Sequence, residues 1–361
     1  MAEGPRTEKL EMITLHKILF TMCAISFIYK YYTGTAPIII RIKDPKFSTL
    51  GPFNTTHITV EDNYNQLIDI SNFTFKTNPQ PCKDYPAGLL LMIIISSNPY
   101  NYENRMVIRS TWGRNHDFTK VVFLIGEPGN MTVSQRVNNE SMKYGDIVQG
   151  NFVDAYRNMT YKHVMGLKWI AHHCPTAKYI LKTDDDIVVN SRAMTHFLAK
   201  ELSPWGAKDL ITCQVLENAN VQRAKSKWRV TLAEYAASHY PTYCAGWAIL
   251  YSQDVVPRLL KVAQATPYFW IDDVHLTGVI AEKIGVARTP LTSLILTPSK
   301  VKQLVVFGPK FVVPFVLGPP DLSLGKIMEI WSAIPGGSSG GLSPSEARAA
   351  KLNNARGGKA E

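Results

Sequence analysis

The chain has 361 residues, 45% of them hydrophobic, and its 39 Lys and Arg residues outnumber its 29 Asp and Glu residues to give a formal net charge of +10. A chain of this length and composition can bury a sizeable core, which excludes the classes of protein that are too small or too polar to have one. The basic balance favours anionic partners such as nucleotide phosphates, acidic glycans or membrane surfaces. No nucleic-acid partner is predicted, because the basic residues form no dense stripe interleaved with aromatic residues.

The N-terminal part contains one apolar, uncharged segment, residues 18–29, between Lys17 and Lys30. It is shorter than the roughly 20 residues that a membrane-spanning helix needs, but 12–32 could span if both lysines reach the headgroups. We predict a cytoplasmic tail at 1–11 and a signal anchor at 12–32, with a cleaved signal peptide or a core helix as alternatives.

Sequons and cysteines agree with a location in the secretory pathway. Candidate N-glycosylation sites occur at Asn54, Asn72, Asn130, Asn139 and Asn158. Of the 5 cysteines, Cys23 lies in the apolar segment, and the others are Cys82, Cys174, Cys213 and Cys244. These could form two disulfides, in any of three pairings, or remain as free buried thiols.

The rest of the chain divides by its patterns. Residues 33–85 are rich in Thr, Asn and Pro and predict a weakly ordered stem. From 86 to 290, short apolar runs alternate with helical patterns, which indicates one α/β domain with a parallel sheet. Strands are predicted at 88–95, 120–125, 146–149, 179–184, 209–215, 228–231 and 245–251, and helices at 101–111, 133–143, 155–173, 255–264 and 273–284. A divergent C-terminal segment at 291–334 and a disordered tail at 335–361 follow.

Three consecutive carboxylates, Asp184, Asp185 and Asp186, end the fourth predicted strand. They repel one another, and Mg²⁺ or Mn²⁺ would offset that repulsion, because both ions prefer carboxylate oxygen. The alternative is a solvated acidic turn. Since ligands of such sheets bind at the carboxyl ends of the strands, the triplet predicts a binding site.

Arg105 and Arg109 lie four residues apart on a predicted helix and should share one face of it. Guanidinium groups at that position could hold a phosphate or a nucleotide. The alternative is an ordinary solvated face that pairs with Glu103 or Asp117.

Two later segments carry further candidates. Tyr243, Gly246 and Trp247 belong to a passage in which aromatic faces could stack on a sugar or base and glycine permits close approach, although core packing would explain them too. Asp272 and Asp273 open a predicted helix. One of them can cap that helix, which leaves the other free to act as a general base.

Six motifs connect these residues in chain order: RSTWG at 109–113, VFLIG at 122–126, GDIVQGNFVDAYRNMT at 145–160, KTDDD at 182–186, YCAGW at 243–247 and DDV at 272–274. In this order they resemble the β-1,3-glycosyltransferases of glycosyltransferase family 31, the galactosyl- and N-acetylglucosaminyltransferases of the Golgi. The resemblance covers about residues 86 to 288.

The resemblance implies a GT-A-type α/β fold with a mixed, mostly parallel central sheet flanked by helices, in a single lumenal domain. It also implies a single-pass type II Golgi membrane protein that uses Mn²⁺, with Mg²⁺ as the second choice. The reaction would transfer a hexose from a UDP-sugar to the 3-hydroxyl of an acceptor glycan on protein or lipid, with inversion. UDP-galactose is favoured as the donor, and UDP-N-acetylglucosamine is the alternative.

The resemblance also gives roles to the site residues. Asp186 would bind the metal together with Asp184, and Asp184 and Asp185 would contact the ribose or the metal's waters. Lys182, Arg105 and Arg109 would face the nucleotide, and Tyr243, Gly246 and Trp247 would contact a sugar. Asp273 would be the catalytic base, and Asp272 stands where the family usually has Glu.

One departure from the resemblance keeps other functions open. Related enzymes often carry a further metal-binding His after the acidic-pair helix, but no His follows His275 here. Either His275 or water would take that place, or the protein would be a glycan-binding member with impaired catalysis. A haloacid-dehalogenase-like phosphatase is a remote alternative, since Asp184, Asp186 and Val188 fit an Asp-x-Asp-x-Val pattern.

Overall fold

The computed structural model describes residues 47–52, 60–85, 88–114 and 118–337. The predicted tail, anchor and Asn54 lie outside these ranges, as do residues 338–361. Within the described ranges, none of the helices is both apolar enough and long enough to cross a bilayer.

The described strands form one 8-stranded sheet and one 2-stranded sheet. The strands are β1 (Ser48–Thr49), β2 (Phe75–Thr77), β3 (Leu91–Ser96), β4 (Thr119–Glu127), β5 (Ile147–Val153), β6 (Tyr179–Asp184), β7 (Ala207–Lys208), β8 (Ile211–Leu216), β9 (Tyr243–Ser252) and β10 (Arg288–Pro290). The α-helices are α1 (Tyr102–Ser110), α2 (Met131–Tyr144), α3 (Met159–His173), α4 (Ser191–His196), α5 (Val255–Gln264), α6 (Ala281–Lys283), α7 (Pro298–Phe307) and α8 (Leu324–Ala333). Segments of π-helix at Phe197–Leu202 and Val274–Ile280 extend α4 and precede α6, and short 3₁₀ turns occur at Tyr156–Asn158, Thr292–Leu294 and Gly308–Lys310.

The large sheet has the strand order β10-β8-β9-β6-β3-β4-β5-β2. All of its strands run in the same direction except β2 and β9, which are antiparallel to their neighbours. Helices cover its faces, so β3 and the apolar part of β6 are buried on both sides, as their continuous apolar runs predict. The predicted fold class is confirmed.

Register places the acidic triplet at the carboxyl edge of this sheet. Ser96 at the end of β3 pairs with Asp184 at the end of β6, and Thr183 pairs with Ala248 in β9. The carboxyl ends of β3, β6 and β8 and the amino end of β9 therefore meet at one edge.

Three predicted elements differ from the structure. Residues 228–231 are described and form no strand, because Arg223 binds the carbonyls of Val230 and Thr231 (3.0 and 2.9 Å) and thereby shapes a loop. The helix predicted from residue 155 begins as a 3₁₀ turn before α3. The one predicted at 273–284 is mostly π-helical, and the Thr277 hydroxyl donates to the carbonyl of Asp273 (2.6 Å).

The prediction of a weakly ordered stem is wrong for residues 60–85. Leu67 and Phe73 are fully buried in the main core, and β2 pairs with β5 at the sheet edge. Asp62, almost completely buried, forms ion pairs with Lys168 and His172 of α3. We call residues 60–85 the N-terminal strap, since contacts distant in sequence hold this polar segment against the domain.

The described cysteines form two disulfides: Cys82–Cys174, which ties the strap to the end of α3, and Cys213–Cys244, which links β8 to β9. They select one of the three pairings that the sequence leaves open.

The segment predicted as divergent, 291–334, packs directly behind the triplet. The amide of Gly318 donates to the carbonyl of Val188 (2.7 Å), and the amide of Leu322 donates to that of Asp186 (2.9 Å). The C-terminal segment thus supports the backbone that carries the acidic residues.

Candidate active site

The three aspartates after β6 lie in different environments. Asp184 is partly exposed and accepts a hydrogen bond from Lys182 (2.9 Å). Asp185 is buried, and its carboxylate accepts from the Ser97 hydroxyl (2.6 Å) and the Asn101 amide (3.0 Å). Asp185 therefore anchors the loop between β3 and α1, and its described contacts lie within the protein rather than toward a ribose.

Asp186 is the member of the triplet with least compensation. Burial and the negative charges of Asp184 and Asp185 raise the pKa of Asp186 to about 6. A cation would relieve this repulsion, so Asp184 and Asp186 fit a hard divalent ion. The described residues contain no group of three or more metal-binding side chains, and Mg²⁺ commonly uses one or two carboxylates with substrate phosphates as the further ligands.

His275 does not join this group. It is buried, and the charges that act on it belong to Lys283, Asp272 and His163. Burial first, and then Lys283, lower the pKa of His275 to about 4.

Lys182 lies inside the cluster rather than on its surface. Its side chain is 1% exposed and donates to the carboxylate of Asp184 (2.9 Å) and to the carbonyl of Gly246 (2.6 Å), with the Asp272 carboxylate 3.8 Å away. Burial opposes its charge, but Asp184 and Asp272 outweigh that effect and raise the pKa of Lys182. In the described structure Lys182 compensates protein carboxylates, which differs from the predicted nucleotide contact.

Asp272 ends a buried hydrogen-bonded chain that starts at Tyr251. The distance from His163 Nδ1 to Asp272 is 2.8 Å, and that from His163 Nε2 to the Tyr251 hydroxyl is 3.1 Å. Burial raises the pKa of Asp272, but the Lys182 ammonium and the His163 hydrogen bond hold it at about 2. An ionised carboxylate only accepts, so His163 Nδ1 donates to Asp272 and Nε2 accepts from Tyr251.

Asp273 has the opposite protonation behaviour from its neighbour. Burial and the charge of Asp272 raise the pKa of Asp273 to about 7, although its carboxylate accepts from the amides of Val274 (2.8 Å) and Gly246 (3.0 Å). A carboxylate that titrates near neutral pH is suited to general base catalysis.

The backbone of Gly246 connects Lys182 of β6 to Asp273. Its carbonyl accepts from Lys182, and its amide donates to Asp273. A Cβ atom at Gly246 would lie 3.1 Å from both the Cβ and the Oδ2 of Asp273, so the lack of a side chain permits this close approach.

The two aromatic candidates on β9 have different contacts. The Trp247 indole donates to Gln214 (3.1 Å), and its carbonyl accepts from Thr183 (2.8 Å). Tyr243 packs in a cluster with Phe269 and Trp270, which supports the core-packing alternative for this residue.

The arginines share one helix face, as predicted, but carboxylates inside the protein occupy both of them. Arg105 is 0% exposed and forms a bidentate pair with Glu140 (2.8 and 2.6 Å). Arg109 binds Asp146 (2.8 and 2.7 Å) and also Glu140 (2.7 Å). Asp146 immediately precedes β5, and two strands, β3 and β4, separate β5 from β6, which carries the triplet. These partners differ from both the predicted nucleotide and the alternatives Glu103 and Asp117.

The sequence patterns gave no role to the titratable residues that α3 contributes to this site. His163 falls within the helix predicted at 155–173 and Tyr251 within the strand predicted at 245–251, and the patterns give neither residue a role in the site. Lys162, also buried, donates to the Ser97 carbonyl (2.6 Å) and to Asp154 (2.9 Å). The available signal was the pair of titratable residues 162 and 163 near the start of a buried helix.

The described sequons differ in exposure. Asn72, Asn130 and Asn139 are exposed, and the Asn130 side chain also caps α2 by accepting from the amide of Val133 (3.2 Å). Asn158 is half-buried, and its amide nitrogen donates to the carbonyl of Val153 (2.8 Å).

The galactosyltransferase family profile matches residues 103–292. Beta-1,3-galactosyltransferase 1 of Mus musculus is 31% identical over 261 residues, which make up 71% of this chain and 76% of that protein, and the Homo sapiens protein gives the same values. Beta-1,3-galactosyltransferase 5 of Pan troglodytes is 31% identical over 216 residues, or 59% of this chain and 71% of that protein.

Among solved structures, the WbbM bifunctional glycosyltransferase matches with a TM-score of 0.36 and 12% identity over 74% of this chain and 52% of the larger WbbM chain. The galactosyltransferase LgtC, solved with donor and acceptor sugar analogues, matches with a TM-score of 0.35 and 10% identity over 72% of this chain and 99% of LgtC. Both TM-scores are low, so the family assignment rests on the sequence matches. The chain belongs to the galactosyltransferase family, in agreement with the resemblance of its ordered motifs, and is a glycosyltransferase that works with a sugar donor and a glycan acceptor.

Proposed function

We propose that the protein is an inverting, Mn²⁺-dependent β-1,3-galactosyltransferase that moves galactose from UDP-galactose to the 3-hydroxyl of an acceptor glycan on protein or lipid. The names of the matched relatives support the donor and the linkage. The observation that carries the proposal is the pair of adjacent carboxylates next to the triplet: Asp272 is held ionised, and Asp273 has a pKa of about 7.

Asp273 removes the proton from the acceptor hydroxyl as that oxygen attacks the anomeric carbon of the donor. The bond from this carbon to the β-phosphate oxygen breaks, and UDP leaves with the electron pair. A single displacement inverts the configuration. The proton stays on Asp273 until solvent removes it, and Asp272 remains ionised because Lys182 and His163 compensate its charge.

Asp184 and Asp186 would hold the Mn²⁺ ion. When bound, the ion supplies positive charge that stabilises the departing diphosphate. Lys182 Nζ lies 2.9 Å from Asp184 and holds this carboxylate in place beside Asp186.

We further propose a single-pass type II protein of the Golgi membrane with its catalytic domain in the lumen. Two disulfides and three exposed sequons support an oxidising, glycosylating compartment. The anchor at 12–32 remains a prediction from the sequence.

The test uses the detergent-solubilised full-length protein with UDP-galactose, Mn²⁺ and a panel of acceptors that end in galactose, N-acetylglucosamine or N-acetylgalactosamine. We expect release of UDP that depends on the acceptor, a β-1,3-linked product, and loss of both after chelation with EDTA.

Other results would select the alternatives. Transfer from UDP-N-acetylglucosamine alone would replace the donor assignment. Free phosphate from phosphomonoesters would indicate a phosphatase. Glycan binding without turnover of any UDP-sugar would indicate a family member with impaired catalysis.

A further inference from the structure

The C-terminal segment exposes apolar side chains that the proposed chemistry does not use. Val306, Phe307 and Val312 are 76%, 56% and 87% exposed, and they lie at the end of α7 and just after it. We call these three residues the apolar tip. Single apolar residues are common at a protein surface, but three such exposed side chains within one short segment indicate an interaction site.

Short-range contacts hold the apolar tip in a defined shape. The helix α7 ends at Phe307, where the amide of Gly308 donates to the carbonyl of Leu304. The amide of Phe311 then donates to the carbonyl of Gly308 (2.9 Å), which closes the 3₁₀ turn. The ring of Phe311 lies 6.5 Å from the ring of the buried Phe315. The tip is therefore preorganised, which lowers the entropic cost of binding.

The surroundings of the apolar tip are basic. Residues 283–320 contain no Asp or Glu, whereas Lys300, Lys302 and Lys310 flank the tip. None of the ion pairs in the described part of the chain includes these three lysines. Lys302 and Lys310 are exposed, and Lys302 precedes Val306 by four residues, so that the two side chains are neighbours on the solvent face of α7.

An anionic lipid surface fits this combination better than a protein partner does. Protein interfaces are depleted in Lys and enriched in Arg, whereas the charged residues around the tip are lysines. Lysine suits the surface of a bilayer, because its stem packs along apolar groups while its ammonium reaches the headgroups. A second copy of the chain is disfavoured, since a symmetric contact would bring the lysines of both copies together. Glu329 of the neighbouring helix α8 pairs with Lys326 and leaves this positive charge available.

We propose that the apolar tip inserts into the interface of a lipid bilayer, with Lys302 and Lys310 bound to anionic headgroups. Such docking is independent of the transfer activity and goes beyond it. Each lysine near an anionic surface strengthens binding about fivefold, and the apolar side chains leave water. The same segment continues to Leu317, which pairs with Val189 behind the triplet. Docking would therefore also fix how the carboxyl edge of the sheet faces the bilayer.

The experiment measures the local environment of the apolar tip in the full-length protein, reconstituted in vesicles of equal parts phosphatidylcholine and phosphatidylserine. A fluorophore is attached through Val312→Cys in a Cys23→Ser background, in which the other four cysteines form the two disulfides. The matched control carries the same label through Phe118→Cys, because Phe118 is 63% exposed and precedes β4 at the amino edge of the sheet. We expect lipids with a nitroxide on the acyl chain to quench the label at position 312 several-fold more strongly than the label at 118.

Two double variants separate the apolar contribution from the charges. Val306→Ser with Phe307→Ser should abolish nitroxide quenching of the label at position 312. Lys302→Gln with Lys310→Gln should lower the docking equilibrium about 25-fold, the product of two fivefold effects, and vesicles of phosphatidylcholine alone should have a similar effect. Melting temperatures should stay near the wild-type value in both variants, because the four side chains are exposed.

Equal nitroxide quenching at positions 312 and 118 would overturn the proposed docking, as would quenching at 312 that survives both serine substitutions. A label at 312 that is protected from acrylamide in vesicles but is not quenched by nitroxide lipids would show that protein covers the tip. Energy transfer between labels on different molecules would then identify a second copy as the partner. Transfer of galactose to a soluble acceptor is measured in parallel, and its absence would refute the proposed function without changing any of these outcomes.

Discussion

Two groups of charged side chains lie on opposite halves of the same sheet. Arg105 and Arg109 of α1 form ion pairs with Glu140 of α2 and with Asp146, which precedes β5. Two positive groups therefore meet two negative ones. At the carboxyl edge there are five carboxylates, and Lys182 forms ion pairs with two of them, Asp184 and Asp272. The other three are Asp185, Asp186 and Asp273, and the negative charges of their neighbours help to raise the pKa of Asp186 and of Asp273.

The difference in charge balance distinguishes a group that stabilises the fold from a group that can bind a ligand. The balanced group needs nothing from outside, since its charges satisfy one another in bidentate hydrogen bonds. The unbalanced group carries excess negative charge that only protons or a cation can offset, and this shifts the pKa values of its members. Both groups contain residues that the sequence predicts as ligand contacts, but only the second is available for a ligand.

The largest expected effect follows from Asp273→Asn. Loss of the base should reduce kcat about 10²–10⁴-fold, while binding of UDP stays near the wild-type value. The matched control is Asp146→Asn, the same chemical change in the balanced group, which should lower the melting temperature and leave kcat almost unchanged. Near-normal turnover of Asp273→Asn would show that a different residue is the general base.

Asp186→Ala should remove the part of UDP binding that depends on Mn²⁺, with a loss of affinity of at least about tenfold. Calorimetric titration of UDP with and without Mn²⁺ measures this effect. Retention of the full Mn²⁺-dependent affinity would show that Asp186 does not hold the ion.

Arg105→Leu should destabilise the fold by about 3–5 kcal/mol, because it leaves Glu140 buried with one partner fewer. Chemical denaturation measures the change. The double variant Arg105→Met, Glu140→Leu should recover most of the stability, since Arg109 and Asp146 still balance each other. If Arg105→Leu keeps its stability and instead raises the KM for UDP-galactose, the result would support the nucleotide contact that the sequence predicts for Arg105.

The pH dependence of kcat/KM should follow Asp273. Below its pKa of about 7 the base is protonated, so the rate should fall about tenfold per pH unit and level off above that value. The pKa of Asp273 in the folded state lies above its ordinary value of 3.8. Its contribution to stability is therefore fully present below about 4 and is lost as pH rises through about 7. Melting curves from pH 5 to 8 should be flatter for Asp273→Asn, and identical slopes would contradict the assignment.

The smallest effect concerns Tyr251→Phe, which removes the hydrogen bond to His163 and preserves the ring. We expect a loss of about 1 kcal/mol in the free energy of unfolding. The kcat should fall only a few-fold, because Lys182 still compensates Asp272. A loss of activity as large as that of Asp273→Asn would mean that this buried chain takes part in proton transfer.

Local patterns account for much of what could be predicted. The strands β3, β4 and β6 appear as apolar runs because their residues are buried on both faces, and the triplet stands at the end of such a run. The helix at 255–264 matches α5 from end to end. The N-terminal strap could not be predicted in this way, because a disulfide across 92 residues and ion pairs to α3, rather than a periodic apolar pattern, hold it in place.

The sequence by itself determined where the acidic residues stand along the chain and that a strand end would present them, since both depend on neighbouring residues. Only the tertiary structure decided which of them carries a proton near neutral pH and which arginines are already occupied. The contacts responsible join residues far apart in sequence: 109 positions separate His163 from Asp272, 88 separate it from Tyr251, and 35 separate Arg105 from Glu140. Charge state and availability depend on burial and on nearby charges, and folding brings both from distant parts of the chain.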